Sequence, residues 1–400
     1  MLRLMAPLVA LLVTGCGEAP PATPPQPAKT PATPAAPPAT PPAAPETAPT
    51  DEQRCGPAHT YLDAVRSDPA AVTDPLAAMR TAYQGTALQD LVKRSDAATA
   101  RQDDAAISTA LAGTGTDAAV AAQYAIHGAI GQWMRHNLKV AAEGKGASER
   151  AFAWTEARCV WTRHLRHLGV PLVARATEAA RDDATVLEVI DLAFAGGAGA
   201  VTAEPIDERV LLRARQTVEK NWYRLVHREL AHHATLARSG DPLAARRALG
   251  LFDMLRDRMP DKNSPGITIV TAMLSGPAAS IDPAAVMREI DVALVKRARK
   301  YCSEAVDPKF VGTAAGLASV AEGAAYTRVL MPGLLKLPEF DATAHMAAWQ
   351  AFSEAVGAGE SPDELRRLSD ELVHWNCAYQ QALGIRECTA TADEVAAKPK

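Results

Sequence analysis

From residue 58 onward, apolar residues recur every three to four positions, the period of helices with one buried face. Segments 117–143, 148–168, 206–239, 242–259, 282–306, 341–357 and 361–384 carry this pattern and are expected to be helical. Asp207 and Asp282 stand where N-caps belong. Breaks are expected at glycine and proline clusters, among them Gly196-Gly-Ala-Gly199, Pro260 to Pro265 and Pro332-Gly333. The one β-like run is Gly266-Ile-Thr-Ile-Val-Thr-Ala272. The expected fold class is all-α, a multi-helix bundle of about ten helices. Ile206-Asp207 with Arg213-Ala-Arg215, and Ile281-Asp282 with Arg297-Ala-Arg299, fit degenerate repeats of a helical unit.

Composition sharpens this picture. Aromatic residues make up only 5% of the 400, which disfavours a β-sandwich. A net charge of -4 gives no broad basic field, so nucleic acid is not an expected partner. Thirteen of the 29 prolines fall between Pro20 and Pro49, so no folded core is expected there. Gly-x-Ser-x-Gly, a Walker loop and His-Glu-x-x-His do not occur, which sets aside the enzyme classes built on them.

Residues 1–15 read as a signal peptide. After Arg3, an apolar run of ten residues, Leu4 to Val13, is too short to span a bilayer. It ends in Leu12-Val13-Thr14-Gly15-Cys16, which resembles the lipobox of bacterial lipoproteins. The resemblance implies cleavage before Cys16, a lipid on its thiol, and contact with the membrane through that anchor. Gly17 in the next position implies sorting to the outer membrane. Residues 16–50 then form the lipidated cysteine and a Pro/Ala/Thr-rich tether, 51–388 the all-helical domain and 389–400 a disordered tail. In polyproline II form, the tether would reach roughly 100 Å.

An oxidising compartment permits disulfides among Cys55, Cys159, Cys302, Cys377 and Cys388. Cys55 and Cys388 flank the domain, so a clamp between them is one expectation; Cys377 with Cys388 is the local alternative. There is no C-x-x-C, which speaks against a redox pair or a zinc ribbon.

On a helical wheel of 206–239, Leu211, Val218, Trp222, Leu225, Val226 and Leu236 form one stripe. Glu229 and His233 fall on it, with His232 at its edge. A carboxylate and an imidazole on an apolar face need partners, because an unpaired buried charge costs several kcal/mol. Two readings stand: a satisfied polar patch, or a metal site completed by His136, His164 or His374. In Trp133-x-x-His136 and Trp161-x-x-His164, Trp sits mid-stripe and His at the flank, while His167 falls on the solvated side. Glu229-Leu-Ala-His232 and Glu371-Leu-Val-His374 also match the Glu-x-x-His pattern of di-iron carboxylate bundles. A di-iron enzyme is therefore a third functional reading.

Ala151-Phe-Ala-Trp154-Thr-Glu156-Ala, followed by Arg213-Ala-Arg215 and Val226-His-Arg-Glu229-Leu, resembles the low-iron-inducible iron-assimilation proteins. It is similar also to the imelysin-type helical proteins, though the Gly-x-His-x-x-Glu motif of the latter is missing. The resemblance implies capture of iron or another divalent metal at the cell surface. The alternative is a metal-free lipoprotein that holds an envelope protein partner.

Overall fold

The computed structural model describes Cys55, residues 63–176, residues 181–386 and Cys388. The signal peptide, Cys16, the tether and the 389–400 tail lie outside the described residues. Thirteen helices of nine residues or more pack together, and among the described residues there is no strand. They are α1 (Pro75–Tyr83), α2 (Ala87–Thr99), α3 (Asp103–Leu111), α4 (Gly115–Glu143), α5 (Ala147–Val160), α6 (Val186–Thr202) and α7 (Glu208–Arg238). There follow α8 (Pro242–Leu255), α9 (Pro260–Ser275), α10 (Pro283–Glu304), α11 (Ala314–Leu334), α12 (Ala342–Ala358) and α13 (Pro362–Ala382). The protein is an all-α multi-helix bundle.

Many starts are written in the sequence. Asp74, Asp241 and Asp282 each precede a proline and cap α1, α8 and α10 through backbone N–H groups one turn on. Asp207 accepts from the Val210 N–H at 3.1 Å and caps α7. Proline at the first helical position loses no hydrogen bond, and each cap contributes about 1 kcal/mol.

Two expected breaks and the β-like run are continuous helix. Gly196 to Gly199 lies inside α6, because the indole of Trp154 fills the space above Gly197. Pro332-Gly333 lies in the last turn of α11, where Gly333 makes room for Tyr379. The β-like run belongs to α9: Gly266, Val270 and Leu274 are its buried positions, spaced by four. The kink of α9 is at Asn263, which leaves helical geometry and donates to the Glu289 carbonyl at 2.8 Å. Conversely, 148–168 is no single helix. After α5 it widens into a π-helical turn, Trp161–Leu165, and then tightens into a 3-10 turn, Arg166–Gly169.

At the centre lies α7, 31 residues and about 46 Å long at 1.5 Å per residue. It packs on α6, α8 and α11 and touches α4 and α10. One core cluster surrounds it; a smaller one joins the end of α10 to α11, α12 and α13 through Cys302, Val320, Trp349, Phe352 and Leu372. The two Arg-Ala-Arg segments have unlike surroundings: Arg215 pairs with Glu143, and Arg297 with Asp261.

Cys55 is bonded to Cys159, not to Cys388, and Cys377 is bonded to Cys388. The clamp between the domain's ends is thus replaced by one from its start to the end of α5. Cys302 is a buried free thiol.

Candidate functional site

The residues nominated from sequence have differing surroundings. Glu229 is buried, and its carboxylate is bonded to Arg175 of the short helix Val170–Arg175. Burial raises the Glu229 carboxyl above its usual range, while Arg175 pulls it down. His233 is half-buried, 5.4 Å from the His232 ring. Burial, Arg247 and His232 together push it down to about 3. His232 is also lowered, by burial and then by Arg175. His136 stacks on Trp133 at 5.3 Å, on the rim expected for it. His164 is buried in the π-helical turn. Glu371 and His374 are exposed on α13, so the second Glu-x-x-His faces solvent. Among the described residues, no three His, Cys, Asp or Glu side chains are grouped to hold a metal ion. His167, placed on the solvated side from the wheel, instead packs against His127, because the π turn rotates the chain that follows it.

The sequence reading missed the most charged part of the interior. Ten consecutive residues of α7, 218–227, are buried, so the helix is enclosed on every side and its polar face needs partners. Lys220, 2% exposed, places Nζ 3.1 Å from Glu219 and 3.0 Å from Glu322 of α11. The same ammonium lies 5.3 Å from the ring centres of both Tyr223 and Tyr326. Arg135 of α4 bonds Glu219 at 3.0 Å and also Asp257, which Arg258 holds at 2.8 Å. The Tyr223 hydroxyl donates to Glu219 at 2.7 Å. Burial alone would raise Glu219; Lys220 and Arg135 outweigh it and hold the carboxyl well below the usual range. Burial likewise opposes the Lys220 charge, and Glu219 and Glu322 restore it and more.

A second polar chain leaves α7 one turn on. Asp183 receives Arg224 at 2.8 Å and Arg228 at 3.1 Å. Arg228 also donates to the Val329 carbonyl and to Nδ1 of His227. A guanidinium only donates, so Nδ1 is the acceptor and Nε2–H of His227 donates to Asp291 at 2.8 Å. Tyr379 of α13 closes the chain on Asp291 at 2.6 Å. The signal for this was the four-residue spacing of Lys220, Arg224 and Arg228, which lines up cations along one face.

No family model, no curated protein and no solved structure matches this chain.

These networks join α4, α7, α10, α11 and α13 through ion pairs and hydrogen bonds. Arranged this way they fix relative helix positions, and their groups are already engaged with one another.

Proposed function

We propose that the protein is a lipid-anchored lipoprotein of the bacterial outer membrane whose helical domain is a metal-free scaffold for an envelope protein partner. The observation that carries the choice over iron capture is the bond between Glu229 and Arg175. A carboxylate held by a guanidinium is already neutralised, and a cation would have to displace Arg175 to use it. The charges of Arg247 and Arg175 act on the neighbouring His233 and would also repel a metal ion. Support for a partner surface comes from Phe152 and Leu192, 65% and 64% exposed on the adjacent helices α5 and α6. The anchor rests on the lipobox-like Leu12 to Cys16.

Three measurements test the reading on the full chain expressed in a bacterial envelope. Wild type is expected in the detergent phase and a Cys16→Ser variant in the aqueous phase; identical partitioning would remove the anchor. Elemental analysis is expected to find no stoichiometric metal. One equivalent of iron, lost in a Glu229→Ala, His233→Ala variant, would restore metal capture. In-cell crosslinking is expected to yield a discrete adduct that Phe152→Glu with Leu192→Glu abolishes while circular dichroism is unchanged.

A further inference from the structure

The bend after α5 gathers imidazoles. Its Gly169 is pressed onto α6 and α7: a Cβ there would lie 2.5 Å from both Leu187 and Leu225. With the bend so seated, His167 comes against His127 in the middle of α4, and His164 is near enough for its charge to act on His127. The rings of His127 and His167 are 5.2 Å apart, and Tyr124 meets His127 edge-on at 5.8 Å. His127 is fully buried, and neither ring nitrogen has a well-aligned hydrogen-bond partner.

Over this cluster runs the first continuous stretch of the described domain. Val65 is buried, and the Val65 and Ser67 carbonyls accept from Nε2 of Gln123 at 2.8 and 2.9 Å. Asp68 is bonded to Arg247 of α8 at 2.7 Å. The charged and titratable groups about His127 are Arg66 from this stretch, His164 and His167 from the bend, and Tyr124 on α4 itself. Beyond Tyr124 lie Arg247 with Asp68, and Glu229 with Arg175.

We propose that His127 and His167 form an acid-operated latch: residues 65–68 lie closed against α4 while the two imidazoles are neutral, and their protonation releases that segment. The Cys55–Cys159 disulfide keeps the released segment attached to the end of α5, so opening is local.

The physical case is one of crowded like charge. A proton on His127 is opposed first by burial, then by His167, His164 and Arg66; the Val65 carbonyl favours it. On His167, burial and then Arg66 hold the ring down to about 4. Both folded values lie below the ordinary value of about 6.5. The stabilisation is therefore complete above pH 6.5 and is lost as pH falls from there toward 4. In that window each released histidine shifts the opening equilibrium by up to about tenfold per pH unit.

Hydrogen exchange of the full chain, corrected for intrinsic rate, tests this between pH 7.5 and 5. Protection of 65–74 is expected to fall at least tenfold on acidification while α10 is unchanged. A His127→Gln, His167→Gln variant is expected to show flat protection. Should that variant not fold, His167→Gln alone is expected to reduce the pH slope by up to one power of ten per unit. Constant protection in wild type, or the wild-type slope in the variants, would overturn the latch. So would zinc sulfate raising protection of 65–74 at pH 7.5, which would make the cluster a metal site.

Discussion

Gly197 leaves open the space that the Trp154 indole occupies: a Cβ at 197 would lie 1.9 Å from Cζ2 of the ring. Trp154 is held there from a second side, its Nε1–H donating to the Phe194 carbonyl at 3.0 Å. The ring can neither slide along α6 nor swing away without losing that bond.

Gly197→Ala is therefore expected to lower stability by about 3 kcal/mol, read as the urea midpoint. Gly196→Ala is its control. Open space lies above Gly196, so the higher helix propensity of alanine should raise stability by roughly 0.5–1 kcal/mol. Equal effects from the two substitutions would disprove the seating of Trp154.

Lys220→Met is expected to destabilise by about 3–5 kcal/mol, since it leaves Glu219 and Glu322 facing one another without their shared cation. A double-mutant cycle with Glu322→Gln should recover part of that loss. Additive single effects would mean that the two groups do not interact.

His345 on α12 is 3% exposed, packs on Phe340 at 5.3 Å, and burial pushes it down to about 4. Its folded value lies below the unfolded one, so its contribution is complete above about pH 6.5 and declines as pH falls toward 4. The loss is up to about 1.4 kcal/mol per pH unit. Replacing it by phenylalanine should reduce the slope of the stability profile across that window, as measured by thermal melts at successive pH values. An unchanged profile would contradict the burial.

The two disulfides close loops of very different size, with separations of 104 and 11 residues. On loop entropy, Cys55→Ser should cost about 4.7 kcal/mol and Cys388→Ser about 2.8 kcal/mol. Denaturation of each single variant checks the order, and a reversal would point to residual structure in the unfolded chain.

Helix identity was legible because it rests on local rules: a 3.6-residue period, and Asp-Pro pairs that write three starts. Gly197 and Gly333 misled for the opposite reason. Each is decided by a partner distant in sequence, Trp154 and Tyr379 for the glycines. The single-stripe wheel of α7 correctly placed Trp222 and Glu229 inward. It failed on Lys220, Arg224 and His227, since a stripe assumes one wet face and α7 has none along 218–227. Glu229 was expected to find a histidine partner; it found Arg175, which no spacing rule connects to it.

The central position of α7 bears on how the chain assembles. It lies at the midpoint of the sequence, and its neighbours come from both halves: α4 and α6 before it, α8, α10 and α11 after. A chain appearing N-terminus first can seat α6 only on α5 until α7 has followed, and Lys220 meets Glu322 only about a hundred residues later. Through that interval a carboxylate, an ammonium and several apolar faces destined for the interior remain in water. The arrival of α11 thus closes the charged centre around Lys220, and a holding chaperone would have its longest task before it.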